Sequence, residues 1–467
     1  MLEKIKDNLY LLPKQGKMQV DGYVIAHSKL IPALYNDESL KQLQNAASIP
    51  GVYRAVYGMP DLHEGFGLPI GGVMATVLPE GVISAGAVGM DINCGVRLLT
   101  TPFAARELSR ERLRKLVSAI ERYVPAGVGK KNREKEVRKL LPQVLVHGVR
   151  ALLEEGYGIE EDLAKIEEGG VMPGADLKAL SETALSRGAE GLGTLGGGNH
   201  FIELQEVVEI REKQLAERYG LYPGQLCVMV HTGSRGLGHQ VCTEYTEILY
   251  RAGPKYRVNV PAKGLAAVPF SSPEGKQYYQ AMVAVANFAY ANRQLITYYL
   301  RLVFKEQLGD GKLDLVYDLA HNIAKIEVHD ERTVLVHRKG ATRALPAGHR
   351  ANLPAFKETG HPVLIPGSMG TKSYVLRATP QITLTFNSLN HGAGRSMSRK
   401  ASIKNITVSD LKQALGEILL NEKPEAVLDE APQAYKDIDL VIETVTGAGL
   451  AEVVAILKPL AVIKGKD

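Results

Sequence analysis

Five glycines within eight residues, Gly191, Gly193, Gly196, Gly197 and Gly198, most constrain how this chain of 467 residues folds. A packed helix does not tolerate such a run, because each glycine costs about 1 kcal/mol there relative to alanine. The run suits an irregular backbone whose N–H groups approach an anion. No Lys-Ser or Lys-Thr follows it, so it is not a phosphate-binding P-loop. Instead Asn199-His200 opens a strand-like Phe201 to Val208. The same grammar, an apolar strand run ending on histidine or a glycine turn, recurs along the chain. Leu226 to Val230 ends on His231-Thr232-Gly233-Ser234-Arg235-Gly236, and Leu313 to Leu319 on Ala320-His321-Asn322. Val363 to Ile365 ends on Pro366-Gly367-Ser368-Met369-Gly370, and Leu389-Asn390 on His391-Gly392-Ala393-Gly394-Arg395. Earlier, Met59 to Pro69 reads as a loop carrying Asp61, His63 and Glu64 before a strand at Val73 to Val77.

The chemistry centres on Asp91-Ile92-Asn93-Cys94-Gly95-Val96-Arg97. A carboxylate and a thiol three residues apart in a tight turn could reach one metal ion, and a thiolate could bridge two. Gly95 is expected to leave room for a ligand. A single buried cysteine is more often a small hydrophobe. Four histidines at strand ends or glycine turns, His200, His231, His321 and His391, are poorly explained by core packing. Thiolate, carboxylate and imidazole together are a transition-metal ligand set, and by softness alone they point to zinc. There is no C-x-x-C or H-x-x-x-H pair among them, which excludes a small zinc finger. Arg187, Arg235 and Arg395 lie in or beside glycine-rich turns, and His337 to Arg343 reads as a further basic turn. Arginine grips phosphate bidentately, so the combination indicates phosphoryl or nucleotidyl transfer.

Other features set limits. Fifty-six basic against 51 acidic residues give a net charge of +5, which permits a polyanionic partner without requiring one. Three cysteines (Cys94, Cys227, Cys242) make no disulfide framework, so a reducing, cytoplasmic setting is expected. The start, Met1-Leu2-Glu3-Lys4, has no apolar core of a signal peptide, and Ala281 to Ala291, interrupted by Asn287, reads as core. Residues 103–187 read as a mainly helical insertion into the body, with an amphipathic helix from Ala104 to Tyr123. The basic run Lys130 to Lys139 reads as a solvated face, and a long helix is expected at Lys276 to Leu308.

Through Pro60-Asp61-Leu62-His63-Glu64-Gly65, Gly89-Met90-Asp91-Ile92-Asn93-Cys94-Gly95, Gly196 to Phe201 and His231 to Gly236, the sequence resembles the RtcB family of RNA-splicing ligases. The likeness continues through His337 to Arg343, Pro366 to Gly370 and His391 to Arg395, nearly end to end. The resemblance implies an α+β fold forming one domain over 1–467, with a β-rich core, surrounding helices and a deep cleft. It implies joining of RNA 2′,3′-cyclic phosphate or 3′-phosphate ends to 5′-hydroxyl ends with GTP and two Mn²⁺ ions. Cys94 is then shared by two ions, Asp91 and His200 completing one site, His231 and His321 the other. His391 resembles the histidine that becomes guanylylated. Nucleotide contacts are implied for Asn199, His200, Phe201, Glu203, His321, Asn322, Pro366, Gly367, Ser368, Met369 and Ser373. Further ones are implied for Ala393, Gly394, Arg395, Tyr435 and Lys464, and RNA phosphates for Arg187, Arg235, Arg343 and Arg399. Implied partners are tRNA exon halves or broken RNA ends, with an archease-type activator as an open question. A dinuclear metallophosphoesterase shares the metal set but needs neither a nucleophilic histidine nor a guanine pocket.

Overall fold

Two antiparallel-rich sheets meet along a seam, and the strand ends at that seam carry the histidines. The computed structural model describes residues 1–466. The first sheet runs Glu3–Lys6, Leu9–Leu12, Asp21–Ile25, Val52–His63, Ile70–Val77, Arg332–Lys339, Asn322–His329. The second runs Asp314–Ala320, Gly95–Ala104, Gln225–Thr232, Phe201–Ile210, Ala451–Ile463, Ser373–Ala378, Val363–Ile365, with Leu419–Leu420 pairing off its long strand. Helices pack around both, giving a single-domain α+β fold. Every residue of Gln225–Thr232 is buried. That is why it reads as an unbroken apolar run rather than an alternation.

The longest helix, Pro273–Leu308, starts where Ser272 accepts the Gly275 N–H and Pro273 fits the first turn. It stops at Gly309, whose φ of +84° only glycine adopts cheaply. Phe288, Leu295 and Phe304 are fully buried on it, each stabilising by about 1.5–3 kcal/mol. Ala281 to Ala291 is core, as expected, and no described helix is long and apolar enough to cross a membrane. The helices Arg110–Tyr123, Leu141–His147 and Val149–Glu154 pack on this long helix and share its apolar core. The first begins later than its pattern suggests. Ser109 caps it, Leu108 is extended, and Ala105–Glu107 splits off as a separate turn.

Two other expectations give way. The stretch Met59 to Pro69 is not all loop, because the strand Val52–His63 continues through it and buries Asp61. Nor is His337 to Arg343 a basic turn. It is two strands, Arg332–Lys339 and Ala341–Arg343, kinked at Gly340 with φ +60°. A buried cation in a strand needs a carboxylate, and Arg338 has Glu327 at 2.6 and 3.0 Å.

His321 alone separates the last residue of Asp314–Ala320 from the first of Asn322–His329, so the chain changes sheets there. Its N–H donates to the Cys94 carbonyl at 2.9 Å, while the Asn322 carbonyl accepts the Asn93 N–H at 2.6 Å. The Asp91–Cys94 turn is thereby stitched to the seam.

Candidate active site

Strand register brings the predicted ligands together. Gly95 pairs with both Ala320 and Thr232, while Val96 and Phe201 both face His231. Residues just outside these pairs, Cys94, His200 and His321, therefore surround His231. Cys94 Sγ lies 3.3 Å from His200 Nε2 and 3.4 Å from His231 Nε2, and His231 Nε2 lies 3.3 Å from His321 Nε2. Asp91 Oδ2 is 2.9 Å from His200 Nε2, and Asp91 Oδ1 accepts the Ser234 N–H and hydroxyl at 2.7 and 2.9 Å. Asn93, at φ +54°, makes the turn tight enough for this.

The donors form two groups, Asp91/Cys94/His200 and Cys94/His231/His321, each with its ligand atoms within 4.8 Å of one another. Burial pushes the Cys94 thiol well above its ordinary pKa, and the nearby Asp91 carboxylate adds to this. Burial, with neighbouring imidazoles, pulls His231 and His321 well below theirs, leaving both rings neutral. Burial works to raise the Asp91 carboxyl, but His200, Cys94 and Ser234 outweigh it and hold it low. Neutral imidazoles, a carboxylate and a thiol that yields its proton only to a cation fit two divalent ions sharing Cys94.

On the helix side of the same strand ends lies a second polar assembly. Asp318 is fully buried between Arg97, at 2.6 Å, and Arg293, at 2.8 Å. Arg293 also donates to the Asn93 and Thr232 carbonyls at 2.9 Å each, holding the metal-site turn from behind. Asn292 bonds the backbone of Gly193, Thr194 and Gly233. Sequence reading missed Asn292 and Arg293, whose only signal was polar side chains inside an apolar helix, and gave no role to Arg97 or Asp318, which sit within strands.

His391 follows the strand Ser388–Asn390, and its ring centroid lies 4.8 Å from that of His321. Asp61, fully buried, accepts both its backbone N–H at 3.0 Å and Nδ1 at 2.6 Å through Oδ2. Nε2 is left as the nitrogen free to react. The sequence marked Asp61 only as part of a motif, and its tie to a residue 330 positions away had no local signal. Beside the ring opens a cavity of about 270 Å³, whose walls include Asn199, Phe201, Ser368, Met369, Tyr435 and Lys464. Pro366, Gly367, Ala393, Gly394 and Arg395 line it as well.

Five residues expected at the nucleotide are not on this wall; two of them, His200 and His321, stand in the ligand cluster instead. Asn322 spans the Asp91 carbonyl and the Gly340 N–H, and Ser373 Oγ accepts from Gln205 and Gly367. Glu203 is buried beside Gln205, which donates to it at 2.6 Å, and burial raises its carboxyl to about 8. At the far end, the Tyr435 hydroxyl donates to Glu430, which also pairs with Arg395 at 3.1 Å. Lys464 Nζ donates to the Gly198 carbonyl at 2.5 Å.

The glycines answer to protein side chains more than to an anion. A Cβ at Gly196 would strike the His200 ring and Arg235, at Gly198 the Arg399 guanidinium, at Gly233 the Asp91 carboxylate. Gly95 makes room for the Leu319 carbonyl and Arg293 rather than for a ligand.

The four arginines expected on RNA divide. Arg399 lines the cavity, Arg235 reaches Thr194 and the Gly127 carbonyl, and Arg187 lies in the helix Glu182–Gly191 against Gly236. Arg343 is buried elsewhere, against Glu167 at 2.9 Å and Glu168 at 2.7 Å, with Lys325 completing the cluster.

A family model described as tRNA-splicing ligase RtcB matches residues 42–465. The chain belongs to the RtcB family. It is 47% identical to a tRNA-splicing ligase RtcB of Thermococcus kodakarensis, over 99% of each chain. It is 44% identical to one of Nanoarchaeum equitans, again over 99% of each. An RNA-splicing ligase RtcB of Mycobacterium tuberculosis is 46% identical, over 91% of this chain and all of its own. The RtcB relationship thus covers both sheets and every residue of the cleft.

Proposed function

We propose that this protein joins RNA ending in a 2′,3′-cyclic phosphate or 3′-phosphate to RNA beginning with a 5′-hydroxyl, with GTP and two Mn²⁺ ions. The observation that carries the reading is the His391–Asp61 pair, an imidazole fixed at Nδ1 whose Nε2 faces a cavity beside a cation-ready cluster. A phosphoesterase using the same metals has no need of that pair.

Asp61 holds the Nδ1 proton, so the lone pair of His391 sits on Nε2. His391 attacks the α-phosphorus of GTP, forming a P–N bond as the bond to pyrophosphate breaks. The positive charge that develops on the ring is met by the Asp61 carboxylate. An oxygen of the RNA 3′-phosphate then takes the GMP, which breaks the P–N bond and returns the ring to neutrality; water first opens a cyclic end. The RNA 5′-hydroxyl attacks the phosphorus of the activated end, loses its proton and expels GMP. Asp91, Cys94 and His200 would hold one ion and Cys94, His231 and His321 the other, and bound ions supply charge that offsets the phosphates. Manganese over zinc rests on the family likeness, since a thiolate-containing set alone suits a softer ion. Arg187, Arg235 and Arg399 take RNA phosphates in this reading, while Arg343 is a buried strut. Its substrates are tRNA exon halves or broken RNA ends in the cytoplasm, with an archease-type activator as a partner to be tested.

Intact mass after incubation with GTP and Mn²⁺ tests this. One GMP should add to His391 through a bond that acid breaks and alkali spares. A label on a lysine such as Lys464, or no adduct, refutes it.

A further inference from the structure

The cleft contains an imidazole that the proposed reaction leaves unused. His63 ends the strand Val52–His63, opposite Ile70, and its ring lines the same cavity as His391. Its Nδ1 donates to the backbone carbonyl of Asp61 at 2.8 Å. Asp61 therefore holds two rings, His391 through its carboxylate and His63 through its main chain. Burial lowers the His63 pKa to about 4, so the ring is neutral near pH 7. With the proton on Nδ1, Nε2 is a bare acceptor, and it has no donor partner among the described residues.

What surrounds it narrows the occupant. Ile70 lies opposite His63 in the strand pair, and Gly394 sits against the Asp61 carbonyl. The same cavity carries the cations Arg395, Arg399 and Lys464, and its one carboxylate, Glu430, is already paired with Arg395 and the Tyr435 hydroxyl. Phosphate oxygens are acceptors and would face a lone pair unfavourably. A hydroxyl within one sugar of the reacting phosphorus is the group that fits. We infer that Nε2 of His63 accepts a hydrogen bond from a sugar hydroxyl held beside the reacting phosphate, making it a substrate-positioning residue. This rests on the ligase reading. Two hydroxyls share the chemistry, one on the guanosine ribose and one the 5′-hydroxyl of the incoming RNA.

Two substitutions separate this role from a structural one. His63→Asn keeps an N–H for the Asp61 carbonyl and loses the acceptor, whereas His63→Gln places an amide oxygen near the Nε2 position. Both should melt with the parent protein. His63→Asn should slow one step by about tenfold, and His63→Gln should recover most of that. If the guanosine ribose is the donor, guanylylation slows, and discrimination between GTP and its 2′-deoxy or 3′-deoxy analogue vanishes in His63→Asn. If the RNA is the donor, guanylylation is intact and sealing of a preformed RNA-guanylate end slows. His63→Asn matching the parent within about twofold at both steps, or His63→Gln as slow as His63→Asn, overturns the inference. A parent protein that forms no guanylate overturns the ligase reading instead, before any variant is compared.

Discussion

The two polar assemblies on either side of the strand ends differ in saturation. On the helix side, Arg97, Arg293 and Asp318 are fully buried, and charges and backbone carbonyls pair at 2.6–2.9 Å. On the cleft side, Asp61 Oδ1, His200 Nδ1, Glu203 Oε1 and His321 Nδ1 are buried with no hydrogen-bond partner among the described residues. Unsatisfied buried polar atoms are costly, so they persist where something outside the chain completes them. The saturated side is frame and the unsaturated side is site. Each side holds a buried aspartate, but Asp318 is met by two arginines while Asp61 keeps one oxygen unpaired.

The largest expected effect is on the cleft side. His391→Ala should leave no covalent GMP, and Asp61→Asn should slow its formation by about 10²- to 10⁴-fold, with melting temperature nearly unchanged. Cys94→Ala should lose guanylylation and ligation together, while Cys227→Ala costs only packing, about 1 kcal/mol. Full activity of Cys94→Ala at limiting Mn²⁺ would dissolve the distinction from that end.

Next comes the frame. Arg293→Met leaves Asp318 half-paired and two carbonyls bare, so chemical denaturation should show a loss of about 3–5 kcal/mol. Should it instead melt normally and fail only in catalysis, the frame is part of the site. Arg343→Ala sharpens the line further. It should cost on the order of 2–3 kcal/mol, because Lys325 still faces Glu167, and leave the KM for RNA unchanged. An unchanged melting temperature with a raised RNA KM would return Arg343 to the RNA-facing set.

The smallest effect depends on pH. An unfolded glutamate titrates near 4.5, but burial keeps the Glu203 proton on to about 8. Between those values the folded chain binds the extra proton, so stability falls as pH climbs through the window. Glu203→Gln has no proton to lose. Its melting advantage over the parent should widen steadily from about pH 5 to about pH 9. A gap that stays flat means Glu203 is ionised throughout.

What the sequence made legible was whatever a strand end carries. His231 and His321 stand where apolar runs stop, Cys94 and His200 where they begin, and sheet register then gathers them. Arg343 looked like Arg395, a basic residue beside a glycine, because the carboxylates that claim it, Glu167 and Glu168, lie more than 170 positions away. Asp61 was hidden for the same reason. Gly95 was read as space for a ligand, when that space is filled by a neighbouring strand and an arginine.

The double hold of Asp61 on His391 has a consequence for timing. One carboxylate oxygen takes both the main chain and the ring of that residue, and Gly394 is wedged against the Asp61 carbonyl. In the proposed reaction a ring held in this way does not travel, so GTP and the RNA end must reach it through the same doorway. Pyrophosphate has to clear the cleft before an RNA end can approach the same phosphorus. The kinetics should be those of a single-berth dock, with GTP and RNA served in strict turn and excess pyrophosphate holding up the queue.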